Sequence, residues 1–475
     1  MALIKCSECG WMLSEKAISC PKCGCPNEKR VTTIVDEKEK EVISVDELEH
    51  SSTIKIANAS SDISKKKRKK HIFTIICSII VIIVCITVFY FWYGAREMVR
   101  RAEQGNPKAQ YEYGQYYCRK QDYKEAIKWW KKAAIQGYAP AQSRLGLCYI
   151  KSTGVSRDSK EAVKWFKKAA EQGFAEAQYN LGISLEHGNG ISQNYKEAVK
   201  WYKKAAEQGN VDAQSRLGYC YTFGKGVSKN YKEAAKWYRK AAEQGDIKAQ
   251  YTLGTFYDKG YGVNQDYKEA VKWYRKAAEQ GDKDAQYYLG FCYEFGNGIS
   301  KNYEEAAKWY KKAAEQGDKE AQFHLGYFYA IGYGVNQDYK EAVKWYKKAA
   351  TQEVAIAQCF LGSCYYGGLG ITQDYEEAVK WFKKAADQEV GLAQYYLGLC
   401  YEYGEGINKN YDEAIKLFRK AAEQKNANGQ YELGVCYYYG YDTNQDDNEA
   451  IKWFKKAAEQ GHEKAIQKLQ EIKQK

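Results

Sequence analysis

The sequence predicts an all-α fold, a superhelical solenoid of about ten helix-turn-helix repeats, preceded by one transmembrane helix and a small N-terminal ribbon. Three observations lead to this prediction: a motif that recurs every 36 residues, a charge-free stretch of 22 residues, and two closely spaced cysteine pairs. The predicted segments are the ribbon (residues 1–30), an acidic linker (31–64), a basic anchor (65–70), the transmembrane helix (72–93) and the solenoid (95–475).

A repeated motif divides the chain from residue 95 onward into two-helix units. In the sixth unit, Ala285, Leu289 and Gly290 share one helical face, and Gly296 and Gly298 then break the helix. A second helix follows. One such hairpin cannot bury its own apolar face, so stacking against neighbours is predicted. The marker dipeptide Ala-Gln begins at Ala109, Ala141, Ala177, Ala213, Ala249, Ala285, Ala321, Ala357 and Ala393.

The pattern resembles the SEL-like repeat family, a relative of the tetratricopeptide repeats. The matching strings are Ala-Gln, Leu-Gly, Gly-x-Gly-Val/Ile, Tyr-x-Glu-Ala and Trp-Tyr-x-Lys-Ala-Ala-Glu-Gln-Gly. The first unit lacks the Gly-x-Gly loop and Leu417 replaces one tryptophan, as is typical of repeats near the ends of an array. The resemblance implies an adaptor in signalling or protein assembly at membranes. The polar end from Glu463 to Lys475 is predicted to be a capping helix.

Four cysteines near the N-terminus form two Cys-x-x-Cys-Gly pairs with ten residues between them. Cys6, Cys9, Cys20 and Cys23 have the ligand type and spacing of a tetrahedral site, so one structural zinc ion is predicted. The segment resembles the short zinc ribbons at the start of many bacterial membrane proteins. Two disulfides are the alternative, and Cys25 remains as a spare thiol or an alternative ligand.

Residues 72–93 contain no charged side chain. As a helix they would span about 33 Å, enough to cross the hydrocarbon core of a bilayer. The basic block 65–70 directly precedes them, which predicts a single-pass cell-membrane protein with a cytoplasmic N-terminus and extracytoplasmic repeats. Residues 31–64 carry eight acidic and three basic side chains, and they are predicted to be a disordered tether.

The repeats contain single cysteines at one recurring position. These cysteines argue against this orientation, because free thiols are unusual in oxidising compartments. Equivalent positions in stacked hairpins are too far apart for disulfides, so these cysteines are predicted to be small buried apolar residues. Either the outer compartment is not strongly oxidising or the orientation is reversed; the basic block favours extracytoplasmic repeats. The cysteines are Cys148, Cys220, Cys292, Cys364, Cys400 and Cys436.

The motifs and the charge distribution argue against an enzyme and against nucleic acid as a partner. The five histidines form no HExxH or Cys/His pairing, and no glycine string matches a phosphate-binding loop. Asp and Glu recur with the repeat and are expected to pair with Lys four residues further along the helix. The net charge of +13 is spread along the chain rather than gathered in one patch.

The first helix of each unit carries a variable face. Counted from the marker alanine, positions +4, +5 and +8 face the core, so positions +3, +6 and +10 are predicted to point away from it. In the C-terminal half the aromatic residues at +3 and +10 are predicted to form a stripe on the inner surface, although the same residues could instead pack against the adjacent hairpin. Arginines at +3 in the N-terminal half suit an acidic flank of a ligand. The predicted partner-binding residues are Arg144, Arg216, Tyr288, Phe295, His324, Phe360, Tyr396 and Tyr403.

The main hypothesis is a membrane-anchored scaffold or adaptor that binds protein partners through the concave face of the solenoid. The alternative is a cell-envelope receptor for polysaccharide or peptidoglycan, because aromatic stripes stack on sugars as readily as on peptides. Both hypotheses require rigidly held aromatic rings on the inner surface.

Overall fold

The computed structural model describes Leu3–Lys5, Met12–Ser14 and residues 93–441 and 445–474, and the chain divides into two compact units, Met1–Arg96 and Glu97–Lys475. In the first unit, β1 (Leu3–Lys5) pairs antiparallel with β2 (Met12–Ser14), and Lys5 lies opposite Met12. The predicted zinc ligands, acidic linker, basic block and residues 72–92 lie outside the described residues. Within the described part of the chain, no helix is long and apolar enough to cross a bilayer.

The second unit is an all-α solenoid of ten two-helix repeats, which confirms that part of the predicted fold. A helix that ends at Glu103 (α1) precedes the repeats, and α22 (Glu463–Gln474) follows them where the capping helix was predicted. The first helices of the repeats, called the A helices, are α2 (Pro107–Arg119), α4 (Ala139–Lys151), α6 (Ala175–His187), α8 (Val211–Phe223), α10 (Ile247–Lys259), α12 (Lys283–Phe295), α14 (Lys319–Ile331), α16 (Ala355–Gly367), α18 (Gly391–Tyr403) and α20 (Ala427–Tyr439). The second helices, called the B helices, are α3 (Tyr123–Ile135), α5 (Ser159–Glu171), α7 (Tyr195–Glu207), α9 (Tyr231–Glu243), α11 (Tyr267–Glu279), α13 (Tyr303–Glu315), α15 (Tyr339–Thr351), α17 (Tyr375–Asp387), α19 (Tyr411–Glu423) and α21 (Asp447–Glu459).

Short polar residues and glycines set the ends of these helices. In repeat 6, the Asp282 carboxylate accepts a hydrogen bond at 2.8 Å from the backbone N–H three residues later, which caps α12. Asn302 caps α13 in the same way at 3.0 Å. Such caps satisfy backbone donors that have no partner inside the helix. Gly296 then ends α12 with a φ of 79°, a left-handed conformation in which glycine is favoured.

The second glycine of the Gly-x-Gly loop allows neighbouring repeats to approach each other. Gly298 has a φ of +71°, and a Cβ atom built on it would lie 2.1 Å from the carbonyl oxygen of Tyr267, at the start of the preceding B helix. A side chain at this position would therefore collide with backbone atoms rather than with a movable side chain. The loop motif is thus an inter-repeat contact as well as a turn.

The Leu-Gly glycine sets the distance between the two helices of a repeat. In repeat 6, Leu289 is fully buried, and a Cβ atom on Gly290 would lie 2.8 Å from the ring of Tyr310 in α13. The ring of the B helix therefore packs directly on the backbone of the A helix. The rings that occupy this position are Trp130, Phe166, Tyr202, Tyr238, Tyr274, Tyr310, Tyr346, Phe382, Phe418 and Phe454.

The marker glutamine joins three helices. Gln286 is buried in α12, and its Nε2 donates at 3.0 Å to the carbonyl oxygen of Ala278 near the end of the preceding B helix. Its Oε1 accepts at 2.8 Å from Nε2 of Gln316, which follows the B helix of the same repeat. We call this arrangement the glutamine clamp. The clamp glutamines are Gln110, Gln142, Gln178, Gln214, Gln250, Gln286, Gln322, Gln358, Gln394 and Gln430.

The predicted burial of the repeat cysteines is confirmed, whereas the predicted spacing of the surface ion pairs is wrong for most pairs. The cysteines are buried, and burial raises the pKa of Cys220 to about 12. The ion pairs mostly join residues three apart rather than four, as in Glu305 and Lys308 at 2.6 Å. The difference arises because Lys308 stands three residues after Glu305, and the fourth position is occupied by the buried Trp309.

We expect Gly290→Ala to destabilise the solenoid by about 1–3 kcal/mol, because the added methyl group must displace the Tyr310 ring from a close-packed position. Gly367→Ala is the matched control: Gly367 is also helical, and the nearest atom to an added Cβ is 3.5 Å away. Its free energy of unfolding should stay the same or rise by up to about 1 kcal/mol. Equal urea unfolding midpoints for the two variants would contradict the close-approach constraint.

Candidate functional site

The A helices line one side of the stack. Those of neighbouring repeats contact each other, as α16 does with α18 and α18 with α20. This contact puts them on the inner side of the curved array. We call the surface formed by positions +3, +6 and +10 of the A helices the inner face. In repeat 6 these positions are Tyr288, Phe291 and Phe295.

The predicted aromatic residues at position +3 are half-buried, and each covers the core ring of the preceding repeat. The Tyr288 ring stacks on Tyr274, with centroids 5.5 Å apart. The Tyr396 ring stacks on Phe382 at 5.2 Å. Phe360 contacts Tyr346 at 5.5 Å, and His324 stacks on Tyr310 at 4.9 Å. The prediction that these side chains point away from the core is therefore wrong, and the alternative of packing against the adjacent hairpin is correct at position +3, where each ring covers the core ring of the preceding repeat.

The aromatic residues at position +10 are the exposed part of the predicted stripe. Phe295 is 50% exposed and Tyr403 is 61% exposed, and Phe223 and Tyr439 are similarly exposed at 60% and 52%. The ring of Phe295 rests on that of Phe291 with centroids 4.5 Å apart. The Phe295 ring is therefore held by a neighbour on the same helix while one side faces solvent.

The two predicted partner-binding arginines both contact other side chains of the protein, but in different ways. The Arg144 guanidinium lies 5.9 Å from the centroid of the Trp130 ring, so it covers a core ring as the aromatic +3 residues do. Arg216 borders an open cavity of about 310 Å³ that Tyr179, Tyr219 and Thr252 also line. Its charge is already used within the protein, because it is paired with Glu186.

Buried carboxylates at position +9 are functional candidates that the sequence analysis missed. Glu186 in repeat 3 accepts hydrogen bonds from Tyr202 Oη at 2.6 Å and from Arg216 Nε at 2.8 Å. Burial alone would raise the pKa of Glu186, but the bonds from Arg216 and Tyr202 outweigh it and lower the pKa. Glu294 in repeat 6 accepts from Tyr310 Oη at 2.5 Å and lies 3.1 Å from His324 Nδ1. Each carboxylate thus has a B-helix tyrosine and a +3 partner.

The equivalent position in repeat 9 lacks both partners. Phe418 stands where the tyrosine would be, and Glu432 stands where Arg216 or His324 stands in the other repeats. The Oε2 atom of Glu402 is buried and has no hydrogen-bond partner in the part of the chain that is described. Burial raises the pKa of Glu402, and burial together with the charge of Glu402 raises the pKa of Glu432 to about 7. Repeats 9 and 10 therefore hold two carboxyl groups without a matching cation.

A signal for these carboxylates was present in the sequence. Acidic residues occur at position +9 in repeats 3, 5, 6 and 9, as Glu186, Asp258, Glu294 and Glu402, but the sequence analysis assigned the acidic residues of the repeats to surface pairs with lysine. No group of three or more His, Cys, Asp or Glu side chains that could hold a metal ion occurs among the described residues. The predicted ligands Cys6, Cys9, Cys20 and Cys23 are not among those residues.

Comparison with known proteins identifies the repeats as those of a known family. The family described as Sel1 repeat matches ten consecutive segments, 107–138, 139–174, 175–210, 211–246, 247–282, 283–318, 319–354, 355–390, 391–426 and 427–462. A protective antigen of uropathogenic Escherichia coli that displays an SLR fold is 34% identical, covers 80% of this chain and 90% of its own, and has a TM-score of 0.67. A Sel1 repeat protein from Oxalobacter formigenes is 33% identical, covers 65% and 90% of the two chains, and has a TM-score of 0.50. No curated protein sequence matches the chain.

We expect Glu432→Gln to stabilise the protein more at pH 8 than at pH 5. The pKa of Glu432 is raised to about 7 in the folded state from an ordinary value of 4.5. The stability that its protonated form contributes is therefore present below pH 4.5 and is lost as the pH rises through 7. Glu402 raises this pKa and Lys464 opposes the effect.

The measurement is the urea unfolding midpoint of wild type and variant at pH 5, 6, 7 and 8. The advantage of the glutamine variant should grow from pH 5 to pH 7 and level off above pH 7. Glu423→Gln, at an exposed residue of α19, should give a constant difference. A difference that does not change with pH for Glu432→Gln would contradict the raised pKa.

Proposed function

Because the chain belongs to the Sel1 repeat family, we propose that it is a membrane-anchored scaffold that recruits protein partners along the inner face of its solenoid. A Sel1-repeat solenoid is a fold of the protein-interaction scaffold type. The observation that carries the proposal is the set of exposed aromatic rings at position +10. Large rigid rings on a preorganised surface are favoured anchors for a protein ligand.

The inner face changes character along the array, which supports an extended ligand with a direction. At position +10 the first two repeats present the exposed cations Arg119 and Lys151, whereas repeats 6 and 9 present Phe295 and Tyr403. A protein segment with acidic residues at one end and apolar residues further along would match this order. A polysaccharide remains the second candidate because the same exposed rings could stack on sugars.

The N-terminal part of the chain is proposed to anchor the scaffold and to bind zinc. We infer that residues 72–93 form the single membrane span and that residues 65–70 keep the N-terminus on the cytoplasmic side. We also propose that Cys6, Cys9, Cys20 and Cys23 hold one structural zinc ion. The pairing of Lys5 with Met12 supports this, because the first cysteine pair falls in the short connection between β1 and β2.

We expect the triple variant Phe295→Ala, Tyr403→Ala, Tyr439→Ala to bind its partner at least about tenfold more weakly, with little change in the thermal unfolding midpoint. Loss of buried anchors costs binding energy, whereas half-exposed rings contribute little to folding. Partners would be found by proximity labelling in native membranes, purified, and titrated against wild type and variant.

The matched control is Ile135→Ala, Tyr267→Ala, Tyr411→Ala, three exposed apolar side chains that belong to the B helices. This control should bind as wild type does. Unchanged binding by the inner-face variant would contradict the proposal, and competition by soluble peptidoglycan fragments or polysaccharide would favour the sugar-binding alternative.

We expect anaerobically purified full-length protein to contain one zinc ion per chain. Cys6→Ser should abolish binding, because removal of one thiolate breaks a tetrahedral site. Metal analysis by mass spectrometry is the measurement, and Cys25→Ser is the matched control that should retain zinc. Absence of zinc from the wild-type protein, or loss of zinc in the control alone, would contradict this assignment.

A further inference from the structure

We propose that the inner face of repeats 9 and 10 accepts an arginine side chain of the bound protein segment between Glu402 and Glu432. The inference rests on the proposed function and names one feature of the ligand. We call the two carboxyl groups and the adjoining ring of Tyr403 the acidic notch. It lies at the C-terminal end of the inner face, beyond the aromatic residues of repeats 6 to 8.

The protein itself shows what belongs at this position. In repeats 3 and 4 the carboxylate of Glu186 is paired with the guanidinium of Arg216, whose Nε donates to Oε2 at 2.8 Å. In repeats 6 and 7 the carboxylate of Glu294 contacts the imidazole of His324, with Nδ1 3.1 Å from Oε2. Two of the three glutamates at position +9 thus have a nitrogen donor supplied by the next repeat, whereas Asp258 of repeat 5 pairs with Lys259 of its own helix at 2.9 Å. For the third glutamate, the next repeat supplies Glu432 instead.

No other side chain among the described residues takes the place of that nitrogen donor at Glu402 Oε2. Glu402 Oε2 is buried without a hydrogen-bond partner among the described residues, a costly state for a carboxyl oxygen. Lys409 favours the charged form of Glu402, and Lys464 favours that of Glu432. Neither cation outweighs the effect of burial, because both pKa values remain raised. A donor from outside the chain is therefore the missing component.

Arginine fits the acidic notch better than the other cations. Its forked donors can bond two carboxyl groups at once, and its planar guanidinium stacks on aromatic rings. Tyr403, the residue after Glu402, is 61% exposed, and its pKa is raised by burial and by the charges of Glu402 and Glu432. The charges of both carboxyl groups therefore act on this ring. Glu402 and Glu432 are each half-buried, so solvent reaches part of each side chain.

The test compares two fluorescein-labelled peptides of glycine and serine, one with three arginines and one with citrulline at the same places. Citrulline keeps the shape of arginine without its charge. The protein carries a net charge of +13, which disfavours a cationic peptide elsewhere on its surface. Anisotropy titration at pH 8 should show the arginine peptide binding at least about fivefold more tightly to the full-length protein.

Two variants remove the acidic notch in different ways. Glu402→Gln with Glu432→Gln removes both charges without changing side-chain shape. Glu432→Arg supplies the internal partner that Arg216 provides in repeat 4, and it should fold at least as stably as wild type. Both should bind the two peptides equally. Glu423→Gln with Glu459→Gln removes two exposed carboxylates from B helices and should keep the preference for arginine.

Equal binding of the two peptides to wild type, or a preference retained by both notch variants, would overturn the inference. Its failure is separable from failure of the scaffold proposal. If partner binding depends on Phe295, Tyr403 and Tyr439 while no arginine preference exists, the scaffold proposal stands and only the acidic notch is refuted.

Discussion

The glutamine clamp is the interaction on which the stacking of the solenoid depends. One buried side-chain amide joins the end of the preceding B helix, its own A helix and the residue that follows its own B helix, as in the bonds of Gln286 to Ala278 and Gln316. A buried amide that loses such partners costs about 1–3 kcal/mol. Every repeat must therefore stack in the same register, and α1 supplies the first acceptor through Ala102.

The clamp and the glycine contacts leave few positions free to vary. Glycine is required in the Leu-Gly and Gly-x-Gly motifs, because ring or backbone atoms lie too close to these positions for a side chain to fit. The largest chemical variation lies at positions of the A helix that meet solvent or the next repeat, whereas the core ring changes only among Trp, Phe and Tyr. The inner face can therefore differ from repeat to repeat, with cations near its start, rings near its end and unlike partners for the +9 carboxylates, while the stacking geometry stays constant.

The repeat cysteines show how burial changes the reactivity of a side chain. Burial raises the pKa of Cys148 to about 11 and that of Cys292 to about 12. Such thiols form little reactive thiolate near neutral pH, so they would survive in an oxidising compartment as they would in a reducing one. Their presence therefore does not distinguish between the two proposed orientations, and the basic block at residues 65–70 remains the signal on which the proposed extracytoplasmic placement rests.

The sequence by itself determined the ten repeats, the two helices in each, the turns at glycine and the burial of the cysteines, because these follow from a local period that recurs along the chain. It also located the exposed rings of Phe295 and Tyr403. The tertiary structure alone decided that Tyr288 and Tyr396 cover core rings and that Glu402 lacks a partner. Those facts depend on which side chains two successive repeats bring together, and helical periodicity within one repeat carries no information about its neighbour.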